Sequence, residues 1–192
     1  MSAIGELRSA TWPLHQRLEK RLDIKTRFTA LDAYRVHLES MWGFCTAIER
    51  RIGSRLFDGA LADYDERRKV PLLERDLVAL GVDSESVAAL PCCETLPEIG
   101  DPAAAFGCIY VLEGATLGGR TLLPIVQSRL GFTADHGAAY LSSYGADVGT
   151  MWRAFRVALD AWCVAAERRV RAAQTAVATF SSLDHWLCGN AS

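Results

Sequence analysis

The sequence predicts an all-α, single-domain protein, and three observations carry that prediction. Apolar residues recur at three- and four-residue steps along most of the chain. No stretch shows the strict alternation of a half-buried strand, and no internal repeat or low-complexity linker divides the chain. Glycines and prolines fall where helices begin and end. Over Leu31 to Leu56 the apolar set is Tyr34, Leu38, Met41, Trp42, Cys45, Ile48, Ile52 and Leu56, too long a run for a strand, with Asp32 placed to cap its start. Val70 to Leu80 repeats the pattern through Leu72, Leu73, Asp76, Leu77 and Leu80. Pro71 stands where a missing amide costs least and Gly81 supplies a stop. Ser84 to Pro102 holds three prolines and reads as a connector with at most a short helix. Asp101 and Pro102 then read as cap and first turn of a long helix reaching about Arg129, with Gly131 after it. Two further helical stretches, roughly Gly145 to Ala173 and Gln174 to Leu187, complete the chain, with no clear signal for the break between them.

Length and composition narrow the class. A chain of 192 residues suffices for one well-buried core, and residues 1–192 read as one domain. Half the residues are hydrophobic, 23% are charged, and the net charge is −2, so nothing draws the chain to nucleic acid or to an anionic membrane. An anionic ligand must be held by local arginines. No apolar run approaches the roughly 18 residues that cross a bilayer. Residues 1–6 lack the basic start and apolar stretch of an export signal. Six cysteines show no paired CxxC spacing. The vicinal Cys92 and Cys93 are a candidate metal or redox pair, but beside Pro91 they read more simply as reduced thiols. These features point to the cytoplasm.

Two segments stand out chemically. In Leu7-Arg8-Ser9-Ala10-Thr11-Trp12-Pro13-Leu14-His15-Gln16-Arg17-Leu18-Glu19, helical geometry puts His15 and Glu19 on one face, a turn apart. A carboxylate so placed can take a proton from one imidazole nitrogen and leave the other lone pair free for a metal. A solvent-facing His–Glu pair has the same spacing. The second segment is Tyr110-Val111-Leu112-Glu113-Gly114-Ala115-Thr116-Leu117-Gly118-Gly119-Arg120. Each glycine costs a helix up to about 1 kcal/mol relative to alanine. Gly114 and Gly118 share a face and leave bare backbone at the floor of a shallow trough. Such a trough admits either a flat, bulky ligand or a closely packed second helix.

Together, the Leu-Arg-x-Ala-Thr-x-x-x-His-x-x-x-Glu pattern and Glu-Gly-Ala-Thr-Leu-Gly-Gly from Glu113 resemble the heme oxygenases. The resemblance is greatest to the bacterial, biliverdin-producing branch that includes enzymes supplying bacteriophytochromes. It extends to Arg68–Gly81 and to Tyr144-Gly145 followed by Trp152, Phe155 and Arg156. It implies a helical fold with heme between a proximal and a distal helix. His15 is then the ligand to the iron, and Glu19 orients it. Gly114, Gly118 and Gly119 form the distal bend, and Arg8 and Arg156 hold the propionates. The implied reaction consumes dioxygen and reducing equivalents and releases biliverdin, carbon monoxide and ferrous iron. The chain has no nucleotide-binding glycine fingerprint, so electrons come from a separate reductase or ferredoxin, and a bacteriophytochrome is a candidate acceptor of the product.

Two departures qualify the resemblance. Pro13, between Arg8 and His15, implies that the helix either begins near Thr11 or kinks. Where animal members carry a distal aspartate this chain has Ala115, leaving the Thr116 hydroxyl or backbone-held water as substitutes. A heme carrier or sensor without turnover fits the same residues. A thiaminase-like hydrolase would need a nucleophile such as Cys108 or Cys163. A ferritin-like di-iron site would need a Glu-x-x-His pair, and none occurs. His37 reads as a satisfied interior or boundary residue, His136 as solvent-facing, and His185 as packing near the chain end.

Overall fold

The computed structural model describes residues 2–53, 57 and 59–189, and of residues 24 and 25 the backbone alone. Among these residues the chain is helical, with no strand. The helices are α1 (Ala3–Arg21), α2 (Ile24–Arg27), α3 (Leu31–Ile52), α4 (Val70–Ala79), α5 (Ser84–Ala88), α6 (Pro102–Leu130), α7 (Ala139–Ser142), α8 (Val148–Trp162) and α9 (Ala166–Cys188). Short 3-10 turns at Asp65–Arg67 and Gly145–Asp147 lead into α4 and α8.

Local chemistry accounts for most boundaries. The Ser2 side chain accepts from Gly5 N at the start of α1, and Lys20 and Arg21 complement the dipole at its end. Pro13 lies inside α1 without ending it, so of the two alternatives the start near Thr11 is excluded. The carbonyl of Ser9, which Pro13 leaves without its helical donor, lies on an exposed turn where water can serve it. Asp32 does not cap α3: Ala30 occupies that position, and Asp32 sits in the first turn, where its charge still suits the dipole. α3 ends at Ile52, before Gly53, and Leu56 lies outside the described residues. Asp101 caps α6 by accepting from Ala104 N at 2.9 Å, with Pro102 following, and Gly131 ends the helix in the left-handed region at φ 75°.

The last two helices break at Cys163–Ala165, before the Ala173–Gln174 division expected only roughly from the periodicity. Neither glycine nor proline marks this break. Instead the guanidinium groups of Arg168 and Arg169 turn back to the carbonyls of Trp162 and Val164 and satisfy the helix end.

α9 packs lengthwise on both α6 and α1. The α6–α9 crossing is close because Gly107 has no side chain; a methyl there would collide with the Ala172 carbonyl and Ala176 N. α1 is held to α9 by Arg17 and Arg21, each 2.6 Å from Asp184, and by Glu6 with Arg169 at 2.9 Å. Ile4 N also donates to Asp160 of α8 at 3.2 Å. Buried Asp76 on α4 accepts from Ala139 N at 2.7 Å and Tyr140 N at 2.8 Å. One carboxylate thereby ties α7 into place and fixes Tyr140 and Leu141 beside α6. No described helix is long and apolar enough to cross a membrane.

Candidate active site

A cleft opens between α1 and α6 in two joined chambers. The outer, of about 460 Å³, is lined by Arg8, Thr11, Trp12, Tyr110, Leu117 and Trp152. The inner, of about 140 Å³, is walled by residues of α3, α6, α7 and α9. His15, Glu19, Gly114, Gly118, Thr121 and Phe180 line both. The outer chamber alone falls within the roughly 300–1,000 Å³ of small-molecule sites.

His15 is held by rings rather than by hydrogen bonds. Trp12 stacks on it with centroids 5.9 Å apart and planes 6° from parallel, and Phe180 meets it edge-on at 6.0 Å. Its Nδ1 lies 3.7 Å from a Glu19 carboxylate oxygen. That nitrogen is enclosed and has no hydrogen-bond partner among the described residues, although the side chain as a whole is 42% exposed. The exposure therefore falls elsewhere on the ring, as a ligand with a carboxylate behind it requires.

The glycines of α6 divide by face. A methyl group on Gly114 or Gly118 would meet nothing within 4 Å, so both leave open space over the cleft. Gly119 faces the other way: its methyl would lie 2.6 Å from the Leu141 carbonyl, so here the missing side chain permits close packing with α7. Thr116 is buried and lines neither chamber, and its hydroxyl donates to the Leu112 carbonyl at 3.2 Å. Its side chain is therefore turned away from the cleft and is not the substitute for a distal carboxylate considered above.

Of the two arginines, Arg8 lines the outer chamber. Arg156 is exposed on α8 and lines neither chamber, one helical turn beyond Trp152, which does. Sequence reasoning missed the aromatic frame of Trp12 and Phe180 and the inner wall of Phe28, His37, Met41 and Tyr140. His37 is interior, one of the two positions expected, but its Nδ1 has no hydrogen-bond partner among the described residues.

A buried charge network sets α6 from behind. The side chains of Arg67 and Glu113 are 0% and 2% exposed and lie 3.0 Å apart. Lys69 reaches the same carboxylate at 3.2 Å, and the Tyr144 hydroxyl donates to it at 2.6 Å. Burial lowers the Lys69 ammonium from its ordinary pKa, with Glu113 opposing that shift. Glu113 immediately precedes Gly114, so the network fixes the rotation of α6 that turns the glycine face to His15.

A family model described as heme oxygenase matches residues 1–188. The chain belongs to the heme oxygenase family. It is an enzyme of heme degradation, with heme as its key ligand. It is 29% identical over 160 residues to a heme oxygenase of Xanthomonas campestris pv. campestris (strain 8004), covering 83% of this chain and 92% of that one. Its fold is similar to the NO- and CO-bound heme oxygenase of Neisseria meningitidis, at TM-score 0.82 and 22% identity over 97% of this chain and 90% of that one. It is also similar to the heme oxygenase of Leptospira interrogans, at TM-score 0.79 and 16% identity over 98% of this chain and all (100%) of that one.

In this heme oxygenase the two thiols considered as nucleophiles, Cys108 and Cys163, are buried. All six cysteines are free, and burial pushes Cys108 and Cys163 up to about 11, the reverse of an activated nucleophile. The thiaminase-like alternative is set aside on this ground and on the family match.

Proposed function

We propose that His15 is the protein ligand to heme iron and that Glu19 orients its ring. The single observation that carries this reading is the position of His15: it lines the same cleft as the bare backbone at Gly114 and Gly118. The residues present suit heme. An imidazole backed by a carboxylate would provide a nitrogen donor to the iron, aromatic side chains flank it, and the bare backbone at Gly114 and Gly118 would leave room for a flat macrocycle and a small gas molecule. Bound heme supplies the iron that activates dioxygen, and its porphyrin is the substrate consumed.

The chain's own residues then bind, orient and exclude. Trp12 and Phe180 hold the His15 ring in one plane. Backbone at Gly114 and Gly118 sets how much space remains above the macrocycle, and that space restricts which edge is oxidised. Arg8, in the wall of the outer chamber, pairs with one propionate. Arg156, a turn beyond Trp152, pairs with the second at the rim, where a guanidinium fork suits a carboxylate. Residues 1–192 act as one unit in the cytoplasm. Electrons come from a separate reductase or ferredoxin, and the product, biliverdin, passes to an acceptor such as a bacteriophytochrome.

His15→Ala tests the central assignment. The variant is expected to lose biliverdin formation and the spectrum of an imidazole-ligated heme, while heme still enters the cleft. Wild-type spectra together with wild-type turnover would refute it. The carrier reading predicts instead that the wild-type Soret band survives reductant and oxygen.

A further inference from the structure

Segments distant in sequence converge on α6 at the residue just before Gly114, and heme ligation through His15 makes no use of them. The Glu113 carboxylate is held at both oxygens. Arg67 Nη1 donates to Oε2 at 3.0 Å, and the Tyr144 hydroxyl donates to Oε1 at 2.6 Å, with Lys69 Nζ 3.2 Å from that same oxygen. Each holder is itself fixed. Asp63 grips the Arg67 fork through bonds of 2.8 and 2.6 Å, and Arg67 Nη2 also donates to the Met151 carbonyl at 3.2 Å. The Tyr144 hydroxyl accepts from Lys69 at 2.8 Å, and Lys69 Nζ lies 4.2 Å from the centre of the Tyr144 ring. Burial first, and the Glu113 charge second, raise the Tyr144 phenol above its ordinary pKa, so it keeps the proton it donates.

Stability alone does not account for this arrangement. An intact buried ion pair is often no more stabilising than apolar side chains of the same volume. What the network supplies is position. Glu113 adjoins Gly114 of the cleft, Met151 adjoins Trp152 of the outer chamber, and Arg67 binds both. One guanidinium thus ties the glycine face of α6 to the wall on α8. A rotation of α6 by about 20° would move backbone at the helix radius of about 2.3 Å by about 0.8 Å, beyond the tolerance of about 0.5 Å for a productive site.

We propose that Arg67 and Tyr144 are positioning residues for heme oxidation: through Glu113 they hold the glycine face of α6 in register with α8, and so select which edge of the macrocycle is oxidised. The proposal rests on the reading that heme lies between α1 and α6. Neither side chain lines either chamber, so both act at a distance, through the helix they hold.

The test compares Y144F and R67K with wild type. Y144F removes the hydroxyl and keeps the ring beside Lys69; R67K keeps a positive charge and loses the fork. D101A is the control, because it removes the cap at the far end of the same helix. On heme-free protein, amide hydrogen exchange at Gly114 to Gly118 is expected to quicken about tenfold in Y144F and R67K, the factor that one lost hydrogen bond to a charged group gives, and to stay at the wild-type rate in D101A. In the heme-loaded protein, Y144F and R67K are expected to bind heme with unchanged affinity and to shift the ratio of biliverdin isomers severalfold, while D101A keeps the wild-type ratio. A wild-type isomer ratio or wild-type exchange in either variant, or an equal isomer shift in D101A, overturns the proposal. Should one of the two variants fail to fold, the other decides by the same measurements. Failure of the cleft reading shows separately: His15→Ala then leaves the heme spectra unchanged, while the exchange result on heme-free protein stands.

Discussion

Adjacent glycines on α6 should respond to the same methyl group in opposite ways. At Gly118 the added carbon meets nothing within 4 Å. Gly118→Ala therefore removes only the helix penalty of glycine and should stabilise the heme-free protein by up to about 1 kcal/mol. For a chain of this size that raises Tm by about 2–4 °C. At Gly119 the carbon lies 2.6 Å from the Leu141 carbonyl, a rigid backbone atom. Overpacking of that kind costs about 1–3 kcal/mol, enough to outweigh the propensity gain and lower Tm. Activity should divide differently. Gly118→Ala narrows the space over the heme and should cut biliverdin yield while raising stability. Gly119→Ala should lose stability first, and activity only as far as α7 shifts Leu141. The assay pairs calorimetric Tm of heme-free protein with biliverdin yield per heme for both variants and wild type. A Gly119→Ala protein that melts higher than wild type would refute the packing argument. Full biliverdin yield from Gly118→Ala would remove Gly118 from the heme face.

Three other expectations can be checked with less work. Glu113→Ala leaves the buried Lys69 ammonium without its carboxylate, while Arg67 keeps Asp63 at 2.6 Å, so chemical denaturation should show a loss of up to about 3–5 kcal/mol, against about 0–1 kcal/mol for an exposed pair. A loss within the exposed-pair range would show that water reaches the network. For His37, whose pKa falls from 6.5 to about 3 on folding, the unfolded chain binds the extra proton between those values. Stability is then fully present above pH 6.5 and falls with acidification, by about 1.4 kcal/mol per pH unit well inside that window. His37→Phe should flatten the curve above about pH 5, before carboxylates protonate; an unchanged slope there would show that His37 is not neutral in the fold. Arg8→Glu and Arg156→Glu should each weaken heme binding or alter the mixture of biliverdin isomers. If neither affinity nor isomer pattern changes in a variant, that arginine does not hold a propionate.

The sequence by itself determined the helical class, most helix boundaries and the two segments that face each other across the cleft. These are local properties. A 3.6-residue period, an Asp-Pro start at residues 101–102 and a glycine at 131 act on neighbours in the chain and can be read there. The His15–Glu19 pair was legible for the same reason, being a single helical turn. Only the tertiary structure decided what each face meets. Gly114, Gly118 and Gly119 look alike in sequence, yet the first two open on the cleft and the third packs on Leu141, because about 100° of rotation separates successive residues. Thr116 stands amid the motif and is turned into the core by the same rotation. The break after α8 carried no local signal, since the groups that satisfy its carbonyls are arginines from the next helix. The orphaned nitrogen of His37 was equally invisible, because whether a buried polar atom is satisfied depends on neighbours that only folding brings together.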